Sequence, residues 1–164
     1  MVCAWNSSWG NKGVSMKNSV EVKNISFSYG KTEILNDLSL DIKEGEFMVL
    51  LGPSGCGKTT LLNCIAGLLD LTDGQIWIED DNVTWKEPKD RHIGMVFQSY
   101  ALYPSMTVEK NLSFGLRMMG TAKDLINEKI KKAANLLQIN ELLKRKPSQL
   151  SGGQRQRVAI GRAL

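Results

Sequence analysis

The chain has 164 residues, of which 42% are hydrophobic and 23% are charged, and its formal net charge is +4 at pH 7. This is enough for one domain with a buried core. No apolar run approaches the roughly 18 residues of a membrane-spanning helix, so membrane contact requires a partner protein. The basic clusters at residues 129–132 and 144–146 are expected to be solvated helix surface, and no fold motif indicates a nucleic-acid partner.

The first 18 residues differ in composition from the rest of the chain. They contain Trp5 and Trp9 among Asn, Ser and Gly. The apolar stretch at residues 2–5 is too short for a signal-peptide core. We expect Met16 to be the native start, residues 1–18 to be a non-native or disordered leader, and the domain to occupy residues 19–164.

Strands and one helix are predicted in the first half of the chain. Strands are expected around residues 20–27, 34–42 and 74–79. Residues 46–51 form an apolar run that is long enough for a buried strand and too short for a helix. Over residues 59–69, apolar residues recur at helical spacing, which predicts a helix.

A phosphate-binding loop is predicted between this strand and this helix. Residues 52–59 read Gly-Pro-Ser-Gly-Cys-Gly-Lys-Thr and match the pattern G-x-x-x-x-G-K-[ST] at every fixed position. Backbone N–H groups and the positive end of a helix attract phosphate there. The pattern assigns Lys58 to the β- and γ-phosphates of ATP and the Thr59 hydroxyl to Mg²⁺. The predicted ATP-binding residues of the loop are Gly52, Pro53, Ser54, Gly55, Cys56, Gly57, Lys58, Thr59 and Thr60.

The third predicted strand runs into an acidic segment. Residues 76–81 run from apolar to acidic and predict a hairpin strand with a turn at Asp81 and Asn82. A catalytic role for these carboxylates is the less favoured alternative. His92, the only histidine, is expected at the surface near the start of a strand.

Three helices are predicted in the second half. Thr107 is expected to cap a short helix that Gly120 stops. A longer helix should begin near Thr121, with its inward face formed by Ile126, Ile130, Ala133 and Leu137. Residues 150–154 read Leu-Ser-Gly-Gly-Gln, and the S-x-x-Q spacing of Ser151 and Gln154 predicts a capping box at the start of a third helix. Pro147 is expected to help end the helix before it.

From about Val20 to Leu164 the chain resembles the nucleotide-binding subunit of ABC transporters. Beyond the phosphate-binding loop, residues 150–154 are similar to the family's signature motif, residues 27–30 to its aromatic loop and residues 95–98 to the strand that leads into its Q-loop. The resemblance implies an α/β fold of the P-loop NTPase type. That fold has an antiparallel β layer and a helical subdomain at about residues 105–153, and it is incomplete at the C-terminus.

The resemblance also implies individual roles. Tyr29 would stack on adenine, and Gln98 would contact Mg²⁺ or the attacking water and sense the membrane partner. Lys58 and Gln98 would therefore serve catalysis. The signature segment would close over ATP held by a second subunit, through Leu150, Ser151, Gly152, Gly153 and Gln154.

Partners and location follow from the same resemblance. Two such subunits, identical or closely paralogous, would pack head to tail, hydrolyse ATP with Mg²⁺ and drive a membrane permease served by a solute-binding protein. The subunit would lie in the cytoplasm, against the inner face of the cell membrane. The Tyr-Ala-Leu-Tyr-Pro form of residues 100–104 is most similar to sugar importers of the maltose and glycerol-phosphate type. Polyamine, iron and sulfate importers usually carry Phe where Tyr103 stands, and many relatives carry His where Ser105 stands.

Two other functions stay open at this point. One is a soluble ABC-type ATPase that acts as a mechanical switch on a ribosome or DNA. The other is a non-catalytic module in which ATP controls dimerisation. The family's apolar strand ending in Asp-Glu, which supplies the general base, and its switch histidine are not found after residue 98. The 164 residues alone are therefore expected to be poorly stable and hydrolytically inactive.

The cysteines point to a reducing compartment. Cys3, Cys56 and Cys64 are odd in number and widely spaced, which argues against a disulfide framework or a zinc site. Reduced thiols fit a cytoplasmic protein.

Overall fold

The computed structural model describes the backbone of Val2–Cys3, a two-residue strand (β1), and residues 17–164. Met16 and nearly all of the predicted leader lie outside the described residues. The chain divides into two compact units, Met1–Ile93 and Gly94–Leu164. Within the described ranges no helix is long and apolar enough to cross a membrane.

The first unit is built on an antiparallel sheet. Its strands are β2 (Asn18–Tyr29), β3 (Thr32–Lys43), β4 (Asp73–Ile78) and β5 (Asp81–Asn82), in the order β3-β2-β4-β5. Val22 lies opposite Leu40 of β3 and Ile76 of β4. The three strands expected from sequence are confirmed, and the first two are longer than predicted because the β2–β3 pairing runs out to a tight turn between Tyr29 and Thr32.

A short helix covers this sheet. Apolar residues on β2, including Val20, Val22 and Ile25, are buried with Leu61 and Ile65 of helix α1 (Lys58–Ile65) in one core. Helix α1 is shorter than the predicted span of residues 59–69. It ends because the chain turns at Gly67, whose φ is +73° and whose N–H bonds back to the Cys64 carbonyl.

The hairpin turn between β4 and β5 lies two residues earlier than predicted. Glu79 and Asp80 form the turn, with φ of +49° and +69°. Asp81 and Asn82 instead pair with Ile78 and Trp77 as strand β5, so the predicted Asp81–Asn82 turn is wrong. A two-residue type I′ hairpin loop has positive φ at both positions, and Asp tolerates that conformation.

The predicted buried strand at residues 46–51 is not formed. This segment is not a strand, no strand among the described residues pairs with it, and Phe47 and Leu51 are 71% and 89% exposed. Continuous apolar runs are typical of strands with neighbours on both sides. Without such neighbours the segment borders a cavity of about 550 Å³ that is also lined by Leu40, Ile42 and Leu62.

The second unit is helical. It contains a two-residue strand, β6 (Gly94–Met95), and helices α2 (Val108–Met118), α3 (Lys123–Leu136) and α4 (Gly152–Ala163). Short 3₁₀ turns cover Asn140–Leu142 and Pro147–Gln149. Strand β6 is shorter than the expected strand at residues 95–98. The helices enclose a core formed by Val108, Leu112, Ile126, Ile130, Ala134, Ile139, Leu142, Leu150 and Val158.

The predicted helix boundaries in this unit are partly corrected. Thr107 caps α2 by accepting a hydrogen bond from the Lys110 N–H, and Gly120 follows the helix end with a φ of +72°, as expected. Helix α3 begins at Lys123, two residues after the predicted start near Thr121, and Ala122 occupies its cap position. On α3, Ala134 is fully buried and Ala133 only half-buried. Pro147 opens a 3₁₀ turn well after α3 has ended at Leu136.

Candidate nucleotide-binding site

Gly57 sets the geometry of the phosphate-binding loop. It precedes α1 as the N-cap residue with φ +91°, a conformation that costs other residues about 1–2 kcal/mol. A Cβ atom at this position would lie 3.0 Å from Leu35 Cδ2 and 3.3 Å from the Ile34 carbonyl oxygen. Both the backbone angle and the close contact with β3 therefore require glycine where the loop enters the helix.

The N-terminus of α1 is open. No side chain caps it, no acidic residue lies in its first turn, and the first backbone bond joins the Leu61 N–H to the Gly57 carbonyl at 2.8 Å. The N–H groups of Lys58, Thr59 and Thr60 thus stand at the positive end of the helix dipole. An anion is the natural acceptor for such a group of donors.

Lys58 is held by the loop that precedes it. Its Nζ donates to the carbonyl oxygens of Gly52 at 2.8 Å and Pro53 at 2.6 Å, and it lies 3.2 Å from Cys56 Sγ. The ammonium group is therefore already placed inside the loop, next to the open helix end. This arrangement fits the phosphate groups of a nucleotide, which would replace carbonyl oxygens as its acceptors. Thr59 is exposed.

Tyr29 lies at the end of β2 and is 55% exposed. Its ring contacts Phe27 edge to face, with the centroids 4.8 Å apart and the planes at 87°. Phe27 pairs with Leu35, which is also the residue that would meet a Cβ at position 57. Tyr29 thus lies on β2, the strand paired with the β3 residues that contact the loop, and its ring surface is available for stacking.

The signature segment starts α4 in the second unit. Ser151 Oγ accepts a hydrogen bond from the Gln154 N–H at 3.3 Å, and Gln154 Oε1 accepts one from the Ser151 N–H at 2.9 Å. The predicted capping box is confirmed. Leu150 is buried in the helical core and anchors the segment. At Gly152 and Gly153 a Cβ would meet no atom within 4 Å, so packing does not require glycine at either position.

Gln98 is exposed in a turn after β6, where the Tyr100 N–H bonds to the Phe97 carbonyl. The loop that follows is fixed by Asn111, a fully buried residue of α2. Its side chain accepts from the Tyr103 N–H at 2.8 Å and donates to the Met106 and Thr107 carbonyls. Sequence reasoning missed Asn111. The available signal was a polar residue next to Leu112 in a predicted helix.

Sequence reasoning also missed Arg91. This residue is 3% exposed, and its guanidinium donates to backbone carbonyls that include the last turn of α1. The described part of the chain has no group of three or more His, Cys, Asp or Glu side chains that could hold a metal ion.

Comparison with known proteins decides the family. The family model for the ABC transporter matches residues 35–164. The chain belongs to the ABC transporter family. It is 58% identical over 135 residues to the sn-glycerol-3-phosphate import ATP-binding protein UgpC of Escherichia coli K12, and 57% identical to its Salmonella choleraesuis counterpart. These matches cover 82% of this chain and 38% of each relative, so the chain spans about two-fifths of their length.

Solved structures of ABC transporter proteins share the fold. The dimeric structure of MJ0796, a bacterial ABC transporter cassette, has a TM-score of 0.77 and 32% identity, covering 88% of this chain and 68% of that one. CbiO1 from Clostridium perfringens, part of the complex cbiONQ, has a TM-score of 0.77 and 28% identity, covering 90% and 61%. The expected ABC-type α/β fold, with its antiparallel layer and helices, is confirmed.

Proposed function

We propose that residues 52–60 bind the phosphates of Mg²⁺-ATP and that the chain is the nucleotide-binding part of an ABC importer ATPase. The observation that carries this proposal is the open start of α1, with Lys58 Nζ held inside the loop by the Gly52 and Pro53 carbonyls. The identity to the glycerol-phosphate import proteins supports the importer branch. Family membership supports ATPase activity in general.

Each site residue has a proposed role. Lys58 contacts the β- and γ-phosphates, Tyr29 stacks on adenine, and the Thr59 hydroxyl would hold Mg²⁺. Gln98 would contact Mg²⁺ or the attacking water. A bound Mg²⁺ would supply charge neutralisation at the phosphates. The signature segment contacts ATP bound to a second subunit through the N–H groups of Gly152 and Gly153. The capping box supports this role, because it holds the helix start in place without using these two N–H groups.

The remaining features of the importer are proposals of the same kind. They comprise a second ATPase subunit, identical or paralogous, and a permease with its solute-binding protein. A location at the inner face of the cell membrane and a carbohydrate or sugar-phosphate solute complete the set. A similar cassette that is dimeric supports the first. Import of polyamines, iron or sulfate, a soluble ATP switch, and a non-catalytic module are the alternatives. We also propose that residues 19–164 form part of one nucleotide-binding domain, with residues 105–153 as its helical subdomain.

Sustained hydrolysis is not expected from these residues alone. No Asp-Glu pair follows Gln98 in residues 99–164, and no histidine does. We propose that the 164-residue chain binds ATP without multiple turnover. Multiple-turnover phosphate release from a pure sample would contradict this.

Titration of the chain with a fluorescent ATP analogue and Mg²⁺ tests the site. Lys58→Ala removes charge-assisted hydrogen bonds worth about 1.5–3 kcal/mol, so we expect the Kd to rise about 10- to 100-fold. Lys89→Ala is the matched control, because Lys89 is 72% exposed and pairs only with Glu87 in the described structure. Equal affinity in the parent and in Lys58→Ala would show that the phosphates bind elsewhere.

A further inference from the structure

Arg91 is the only buried charged residue in residues 17–164. Its guanidinium makes four hydrogen bonds, all to backbone carbonyls. Nη1 donates to Cys64 at 2.8 Å and Ile65 at 2.9 Å, Nη2 to Thr84 at 3.0 Å, and Nε to Lys86 at 2.9 Å. Among the described residues, no carboxylate lies within ion-pair distance of it. A buried cation without an ion-pair partner is costly, so its carbonyl contacts have to be specific.

Two of these carbonyls belong to the last turn of α1. Carbonyls in a last turn have no donor within the helix, and a cation there is favoured by the helix dipole. The other two carbonyls belong to the segment after β5. Arg91 therefore fastens the C-terminal end of α1 to the edge of the antiparallel sheet. A lysine could not make the same set of bonds, because a fork of donors is needed to reach both segments at once.

Gly67 leaves the space that the guanidinium occupies. A Cβ at residue 67 would lie 2.5 Å from Arg91 Nε and 2.7 Å from its Cζ, and the φ of Gly67 is +73°. The turn that ends α1 is thus shaped around Arg91. Burial lowers the pKa of Arg91 and the nearby Asp70 charge raises it, but a guanidinium remains protonated in either case.

The opposite end of α1 is the open start at which the phosphates are proposed to bind. Helix α1 has only eight residues, which corresponds to about 12 Å. Its N-terminus has no side-chain cap, so the direction of its first N–H groups depends on how the rest of the helix is held. Apolar contacts of Leu61 and Ile65 hold one side of the helix, and Arg91 holds its far end.

We propose that Arg91 is a positioning residue for the nucleotide: it fixes the axis of α1 so that the N–H groups of Lys58, Thr59 and Thr60 converge on the phosphates. This inference rests on the proposed function, since it deepens the account of the same site. Arg91 would act entirely through α1, without touching the nucleotide.

The test compares ATP affinity with stability in the 164-residue chain. Arg91→Met and Arg91→Lys are measured beside Val22→Ala, which removes a buried side chain of β2 from the same core without touching α1's end carbonyls. We expect Arg91→Met to raise the Kd of the fluorescent ATP analogue about tenfold, the loss typical of misplaced hydrogen bonds to a charged ligand. The logarithm of the Kd of Arg91→Lys should lie closer to that of Arg91→Met than to that of the parent. Val22→Ala should lower the midpoint of thermal unfolding and leave the Kd at the parent value.

Three results would overturn the proposal. These are parent-like Kd values in both Arg91 variants, a full rescue by Arg91→Lys, or a rise in Kd for Val22→Ala in proportion to its loss of stability. If Arg91→Met does not fold, Arg91→Lys against Val22→Ala decides alone. If the parent chain does not bind ATP, the proposed function fails. Hydrogen exchange at residues 61–65, whose N–H groups are hydrogen-bonded within α1, then tests the positioning role without nucleotide. Exchange there should be about tenfold faster in Arg91→Lys than in Val22→Ala, and equal rates would refute it.

Discussion

Helices α1 and α4 both start at a glycine-containing segment, yet the two starts are built in opposite ways. Helix α1 begins after Gly57, in a left-handed conformation with no side chain to cap it. Helix α4 begins after Ser151, whose side chain and that of Gln154 satisfy each other's backbone N–H groups. No side chain accepts from the first N–H groups of α1, whereas at α4 the Ser151 side chain accepts from the Gln154 N–H.

This difference separates two uses of glycine. At Gly57 the fold itself needs glycine, since β3 lies 3.0 Å from where a Cβ would be. At Gly152 and Gly153 nothing lies within 4 Å, so the fold would accept a side chain. A glycine that packing does not require leaves its backbone open to whatever approaches the helix start. The contrast supports the proposal that the loop before α1 binds phosphate and that the signature segment contacts ATP on a second subunit.

The largest expected effect on stability comes from replacing Gly57 with alanine. Gly57→Ala should destabilise the protein by about 2 kcal/mol or more, because alanine is strained at φ +91° and contacts Leu35. Gly153→Ala is the matched control and should be neutral or stabilising by up to about 1 kcal/mol, since alanine favours helix. Denaturant unfolding of both variants measures the difference. Equal stabilities would remove the distinction drawn between the two helix starts.

The next effect concerns the capping box. Ser151→Ala removes the acceptor of the Gln154 N–H and should cost about 1 kcal/mol of unfolding free energy. Ser148→Ala, at an exposed position in the preceding 3₁₀ turn, provides the comparison and should cost much less. Urea unfolding followed by circular dichroism is sufficient. An unchanged midpoint in Ser151→Ala would mean that α4 does not depend on its cap.

The smallest expected effect is a difference in alkylation rate between the thiols at the two ends of α1. Cys56 is exposed in the loop, while Cys64 is buried in the last turn, where burial raises the pKa of its thiol to about 11. Iodoacetamide at pH 8 should therefore modify Cys56 long before Cys64 in the folded protein, as read by peptide mapping. Comparable alkylation rates would show that the end of α1 is not packed as described.

The raised pKa of Cys64 also predicts that the free energy of unfolding falls at high pH. Because the folded pKa of Cys64, about 11, lies above its usual value of 9.0, its contribution is fully present below pH 9. That contribution is lost as the pH rises through about 11. Cys64→Ala removes the thiol, so its unfolding free energy should fall less between pH 9 and pH 11 than that of the parent. A steeper fall of the unfolding free energy in Cys64→Ala than in the parent would contradict this prediction.

Local patterns predicted the parts of the molecule that local chemistry determines. The glycine turn into α1, the Ser151 capping box and the Thr107 cap each depend on residues within a few positions of one another. Gly120 was expected to stop α2 for the same reason. The strands around β2, β3 and β4 followed from short apolar runs that find partners within the same sheet.

The errors and omissions depend on distant neighbours. Residues 46–51 have the composition of a buried strand, but a strand also needs a partner to pair with, and sequence composition does not reveal one. The β4–β5 turn moved by two residues because pairing of Asp81 and Asn82 with β4 outweighed their preference for turns. Arg91 reaches carbonyls up to 27 positions away, so no short motif could have indicated it.

The exposed apolar segment at residues 46–51 affects how the chain behaves in solution. Unpaired backbone beside exposed Phe47, Val49 and Leu51 is a template for pairing with another molecule. We expect the chain to self-associate increasingly with concentration and to elute as broad species on size exclusion. Val49 is 55% exposed. Val49→Arg should narrow the elution peak, because it adds like-charge repulsion between neighbouring chains.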